Sequence, residues 1–224
     1  MKAPLTATCI WLVITLIIYT LLYKWLDIPT MYLIYNAYEN SAWWHRSEII
    51  TYVFAPELWG GLGLIAFIYG YQQLKKPHGI WVAYIFTLGS SLTLAAIIVT
   101  LLKFILARYR PIELTDFNLY GFHFFSFKHN LNSTPSGHAG MSFALFFTLG
   151  RFVRKWWFTW LILIPPLLIS CSRLILADHY LSDLILGAYV GIFSVLWAEW
   201  LLQHFLSFIT PRIGSYSHEP DLFA

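Results

Sequence analysis

The chain has 224 residues, 58% of them hydrophobic and 11% charged, whereas soluble domains carry about 25% charged residues. That balance excludes an ordinary water-soluble fold. The net charge of +3 is spread out, and without a Lys/Arg run it offers no surface for nucleic acid and no preference for an acidic partner.

Six apolar windows follow in chain order, at residues 8–23, 50–71, 79–102, 137–152, 156–176 and 181–208. Crossing a bilayer takes about 20 mostly apolar residues in a helix, and the window 79–102 contains no Asp, Glu, Lys or Arg at all. The expectation is an all-α integral membrane protein, a six-transmembrane-helix bundle forming one domain over residues 1–224. The first window is read as a true span, because Lys2 is its only basic leader residue and no small-residue cleavage site follows. Pro165 and Pro166 predict a kink in the fifth span, which neighbouring helices can accommodate. Cys9 and Cys171 fall inside apolar windows, where a free thiol behaves as a small hydrophobe. Residues 210–224, with Pro211 and Pro220, read as a polar, loosely ordered tail.

An even number of spans puts both termini on one side, and short basic loops favour the cytoplasm. Lys2, Lys75, Lys76, Arg151, Arg154, Lys155 and Arg212 fall on the terminal side; Lys24, Arg46, Lys103, Arg108, Arg110, Lys128 and Arg173 fall opposite, a tie of seven against seven. Lys103, Arg110 and Arg173 have a separate task, argued next, and setting them aside leaves seven against four. The termini are therefore expected in the cytoplasm, with residues 24–48 and 111–134 outside and Trp43 and Trp44 at headgroup level.

Three polar clusters then fall on one outer face. In KFILARYRP, Lys103 and Arg110 are seven residues apart, only about 20° apart around a helix, and Pro111 marks the helix end. Both cations can point at one place, although Lys and Arg at helix ends also snorkel to lipid phosphates; Arg108, off that face, is read in the second way. TPSGHAG opens the fourth span with Pro135, Ser136 and Gly137, residue types that build a helix N-terminus with free N–H groups. Such an end attracts phosphate, and His138 in its first turn can reach it; an ordinary capped helix with an interfacial His is the plain alternative. In CSRLILADHYLSD, His179 and Asp183 are four apart and share a helix face, so the carboxylate can accept the ring N–H and fix its tautomer, or simply form a structural hydrogen bond. Arg173 offers a planar fork suited to phosphate oxygens. Ionisable groups gathered at one membrane level point to function.

The order Lys103-x6-Arg110-Pro111, Pro135-Ser136-Gly137-His138, Ser172-Arg173-x5-His179-x3-Asp183 resembles the three-part signature of the type 2 phosphatidic acid phosphatase (PAP2) superfamily, every position filled within residues 103–183. Leu181 stands where members often have Pro, a difference expected to alter helix-start geometry rather than chemistry. The resemblance implies six transmembrane helices, an active site at the extracytoplasmic face, and a metal-independent hydrolase of phosphomonoesters or diphosphates without a cofactor. It also implies roles: His179 as nucleophile forming a phosphohistidine, Asp183 orienting it, His138 protonating the leaving oxygen. Lys103, Arg110, Arg173, Ser136 and the backbone at Gly137 would bind the phosphoryl oxygens.

The substrate is expected to be a membrane lipid phosphate or diphosphate, with undecaprenyl diphosphate, phosphatidylglycerol phosphate, phosphatidic acid and lipid A all open, and the setting a bacterial cytoplasmic (inner) membrane. Six aromatic rings in residues 117–130 either lie at the interface and guide the lipid or pack over the site. A lipid phosphotransferase of the same family would use the same residues. An intramembrane serine protease would need a Ser136/His179 dyad but none of the cations, and a non-enzymatic anionic-lipid carrier would need neither His. Haem or metal ligation by His138 and His179 is disfavoured by the neighbouring positive charges.

Overall fold

A computed structural model describes residues 3–76, 79–153 and 155–213; Lys2, Arg154 and residues 214–224 of the expected tail lie outside the described residues, while residues 210–213, expected to begin that tail, belong to the last helix. In chain order the helices are α1 (Leu5–Trp25), α2 (Asp27–Tyr38), α3 (Ala42–Val53), α4 (Pro56–Gln73), α5 (Ile80–Leu106), α6 (Pro111–Phe117), α7 (Gly137–Val153), α8 (Trp156–Leu161), α9 (Ile164–Ile175) and α10 (Leu181–Ile213). No strand occurs among the described residues, where β-pairing is confined to an isolated bridge between Arg108 and Phe122.

Four stretches are long and apolar enough to cross a membrane: Leu5–Trp25, Ala42–Gln73, Ile80–Leu106 and Leu181–Phe205. The second joins α3 and α4 across a short break at Phe54 and Ala55, after which Pro56 takes the first helical position, where its missing N–H costs nothing. The other two expected spans are shorter: α7 has 17 residues and α9 has 12. Pro165 and Pro166 do not kink a continuous helix; the helix stops after Leu161, and the prolines sit in the first turn of α9, where their fixed φ suits a helix start.

Helix α10 packs on α7, α5 and α1, and α5 packs on α4. The α7–α10 contact is close because glycine makes it so: a Cβ on Gly191 would lie 2.4 Å from the Gly140 carbonyl oxygen, and one on Gly187 would lie 2.6 Å from that of Ser136. Small residues let membrane helices approach backbone to backbone, and here this fixes the start of α10 against the start of α7. Leu92, Ala95, Val99, Met141, Ala144, Leu145 and Val190 fill the core between α5, α7 and α10. The outward faces of α1 and α4 expose Ile10, Trp11, Val13, Ile17, Leu58, Ile65 and Ile68, a surface suited to lipid chains.

Helix α5 ends earlier than Pro111 predicted. Ala107 adopts a left-handed conformation (φ 42°) and its N–H bonds to the Lys103 carbonyl at 2.9 Å, which terminates the helix. The carbonyls of Phe104, Ile105, Leu106 and Ala107 then accept N–H groups from Ser126, Phe125, Phe124 and His123 at 2.9–3.3 Å. The aromatic segment thus caps α5, satisfying carbonyls a helix end leaves free. Phe127 stacks on Phe104 with ring centroids 4.3 Å apart, while Phe117, Phe124, Phe125 and Phe127 remain exposed.

Candidate active site

One end of the bundle is where α1, α5 and α9 finish and α4, α7 and α10 begin, and a cavity of about 600 Å³ opens there. Lys103, Arg110, Gly137, His138, Arg173 and His179 all line it. The convergence of Lys103 and Arg110 is not a matter of helical register, because α5 ends between them. Lys103 projects from its last turn and donates to the Asn132 carbonyl, whereas Arg110 lies in the loop that follows and clasps Asn132 Oδ1 through Nε (3.0 Å) and Nη2 (2.7 Å). Asn132 therefore ties both cations to one loop, a role the sequence did not announce.

Arg173 is 4% exposed. Its Nη1 donates to Thr51 Oγ1 and its Nη2 to Asp178 Oδ2 at 2.5 Å. Asp178 also accepts from Arg110 Nη1 at 3.1 Å, so one carboxylate bridges two arginines. Burial lowers the proton affinity of Arg110 and Asp178 offsets part of that, which describes a pair of cations short of negative charge. A phosphoryl group bound by these arginines would compete with Asp178 for the same guanidinium N–H groups. Asp178→Asn is accordingly expected to tighten inhibition by inorganic phosphate or vanadate about tenfold, the scale of one charge-assisted bond. Weaker inhibition would instead make Asp178 a support that holds the arginines in place.

His179 lies just before α10, and Asp183 is the third residue of that helix. Asp183 Oδ2 accepts the Tyr180 N–H at 2.9 Å, the acidic half of a capping box. It also accepts from Ser133 Oγ at 2.6 Å, while Thr134 Oγ1 donates to Oδ1. His179 Nδ1 stands 3.7 Å from Asp183 Oδ2, an electrostatic contact longer than a hydrogen bond, and Nδ1 has no other partner. Burial lowers the proton affinity of His179 well below the ordinary histidine value; Asp183 offsets part of this, and Lys103 and Arg110 add to it. Burial among cations thus favours the uncharged ring. His138 Nε2 faces the Thr51 carbonyl at 3.3 Å.

Two expected residues sit differently. Ser136 is fully buried and does not line the cavity; its Oγ faces the Ala139 N–H at 3.5 Å, in the manner of a helix cap. Arg108, expected to snorkel, is fully buried. The left-handed turn at Ala107 precedes it, and its guanidinium meets Asp183 Oδ1 through Nη1 (2.6 Å) and Asp27 Oδ2 through Nη2 (2.8 Å), under the ring of Tyr180 at 4.2 Å. Burial works against its charge, but Asp183 and Asp27 outweigh that and raise its proton affinity. The only sequence signal was a third basic residue inside an otherwise apolar helix end. Among the described residues no group of three or more His, Cys, Asp or Glu is placed to hold a metal.

Helices alone among the described residues, apolar outer surfaces, and a cationic cup carrying two histidines define a class: a protein suited to a membrane, with a cup whose charge suits an anionic group. The chain belongs to the PAP2 superfamily, whose family model matches residues 84–206, more than half its length. Membership implies phosphatase or phosphotransferase-type activity on phosphorylated substrates. No curated protein and no solved structure matches the chain.

Proposed function

We propose that the protein is a metal-independent lipid phosphatase that crosses the membrane of a bacterial cell six times, with its site on the extracytoplasmic face. The observation that carries this reading is that Lys103, Arg110 and Arg173, from three separate segments, line one cavity with His138 and His179. In this reading the cations hold the phosphoryl oxygens and stabilise charge in the transition state. His179 turns Nδ1 to Asp183, leaving Nε2 to form a P–N bond as the bond from phosphorus to the leaving oxygen breaks. Protonated His138 gives that oxygen a proton. Water then attacks phosphorus, passes a proton to His138, and the P–N bond breaks to release phosphate.

A lipid substrate is supported by the mixed lining of the cavity, where Ala55, Pro56, Ala96, Val99 and Met141 add apolar surface beside the cations and histidines. A chain can lie there while its headgroup reaches the histidines. The outward orientation gains support from Arg108: being buried, it too leaves the count of loop charges, so Lys24, Arg46 and Lys128 stand against seven on the terminal side. A Ser136/His179 protease dyad is disfavoured by the burial of Ser136 away from the cavity.

The test is to incubate the purified protein in detergent with a panel of lipid phosphates and diphosphates and measure free phosphate. Release from at least one is expected without added metal and in the presence of EDTA. Binding of every lipid with release from none would replace the phosphatase by a carrier.

A further inference from the structure

We infer that Asp27 and Arg108 are positioning residues for the phosphoryl transfer: Arg108 fixes Asp183 beside His179, and Asp27 supplies the second negative charge that keeps this buried group able to balance a positively charged imidazole. The inference rests on the phosphohistidine reading above. Neither residue belongs to the three-part signature, and Asp27 lies outside the matched residues 84–206.

Arg108, Asp27 and Asp183 are each at most 1% exposed. Asp27, the first residue of α2, accepts from the Ser182 N–H through Oδ1 at 3.0 Å, and from Ser182 Oγ and Arg108 Nη2 through Oδ2. Arg108 Nη1 donates to Asp183 Oδ1 and to Ser182 Oγ at 2.7 Å. One guanidinium thus grips the carboxylate that faces His179 and anchors it to a helix from the far N-terminal part of the chain. Tyr23, Tyr120 and Tyr180 wall the guanidinium at 4.9, 5.2 and 4.2 Å from their ring centroids and exclude water.

Charge balance explains the second carboxylate. An Arg108–Asp183 pair alone would be neutral and would spend Asp183 on the guanidinium. With Asp27 the group carries two carboxylates against one guanidinium and keeps a net negative charge. When His179 Nε2 takes the phosphoryl group and the electron pair departs on the leaving oxygen, the ring becomes positive, with its Nδ1–H facing Asp183. Lys103, Arg110 and Arg173 face the same region and oppose that positive charge, so a nearby net negative group lowers the barrier to forming it. Taking three ions out of water is costly, and apolar side chains of similar size often stabilise a fold as well or better; stability alone does not call for this cluster.

The experiment compares the wild type, Asp27→Asn and Arg108→Lys in detergent on a lipid phosphate that the wild type turns over, measuring kcat, KM and the rise in melting temperature caused by inorganic phosphate. For Asp27→Asn, kcat is expected to fall at least about tenfold while KM and the phosphate concentration giving half the melting shift stay within about twofold, the pattern of an interaction used in the transition state only. Arg108→Lys keeps the charge but not the fork and should fall between. Unchanged kcat in Asp27→Asn overturns the assignment, as does a kcat loss matched by lost phosphate protection, which would make the network a mere support of the cup. Failure of both variants to melt cooperatively also overturns it, by making the cluster a folding element. A wild type inactive on every lipid removes the phosphatase reading and this inference with it, whereas an active wild type beside a fully active Asp27→Asn removes the inference alone.

Discussion

Replacing His179 by alanine is expected to abolish phosphate release, with kcat reduced at least about 10,000-fold, because the proposed covalent route would lose its nucleophile and the cations left behind could only bind. The variant should remain folded. His179 sits before α10 rather than inside it, and its ring makes no hydrogen bond through Nδ1, so alanine there leaves no newly orphaned partner. Removing a neutral ring from among Lys103, Arg110 and Arg173 does not alter the charge of the cup. Inorganic phosphate should therefore still raise the melting temperature of His179→Ala. Enzyme quenched in alkaline detergent, where a P–N bond survives, after reaction with a lipid labelled with ³²P in the transferred phosphoryl group should carry label in the wild type and none in the variant. Turnover above one hundredth of the wild-type rate would exclude a phosphohistidine on this residue.

The cations and histidines of the cavity, and Asp183 beside His179, were legible in the sequence, while Asn132, Asp178, Arg108 and Asp27, which hold them in place, were not. Lys103, Arg110, His138, Arg173 and His179 could be found because ionisable groups beside apolar windows stand out, and all of them line one cavity. Spacing failed as a guide to how they meet. The seven-residue interval from Lys103 to Arg110 looks helical, yet a left-handed residue at Ala107 ends α5 and the loop carries Arg110 back to the cavity. The cause lies in residues 123–126, whose N–H groups take up the last carbonyls of α5; no local pattern near Ala107 reveals a partner almost twenty positions downstream. Arg108 shows the same gap. Its surroundings in sequence suit an interfacial cation, and what buries it is Asp27, 81 positions away.

Helix boundaries were lost for a related reason. Apolar composition reports which residues avoid water, and from Trp156 to Ser172 no charged residue interrupts it. The break at Ile162 and Leu163 comes from backbone chemistry: prolines at 165 and 166 lack N–H groups and are tolerated in a first turn, so a helix restarts there. The shortness of α9 has a consequence for the site, because its C-terminal end, carrying Arg173, stops level with Thr51 and Asp178.

Asp183→Asn is expected to lower kcat about 1,000-fold or more with little change in KM, the scale seen when an acid that fixes a catalytic imidazole is neutralised without changing its shape. The effect should be chemical and not a collapse of the fold. Arg108 keeps Asp27 at 2.8 Å, so the buried guanidinium remains paired, and neutralising Asp183 leaves a balanced pair in place of a net negative group. The amide also keeps an oxygen for one set of donors, either Ser133 and Tyr180 or Arg108 and Thr134. Turning its NH₂ toward the other set mismatches them at a cost of about 1–3 kcal/mol, which a lower melting temperature should register. His179 then loses the carboxylate that favours a proton on Nδ1, the ring can protonate on Nε2 instead, and the nucleophilic lone pair no longer faces the cavity. Measuring kcat, KM and phosphate protection together separates these effects: a variant that keeps more than a tenth of wild-type kcat would show that the tautomer of His179 is set by something other than Asp183.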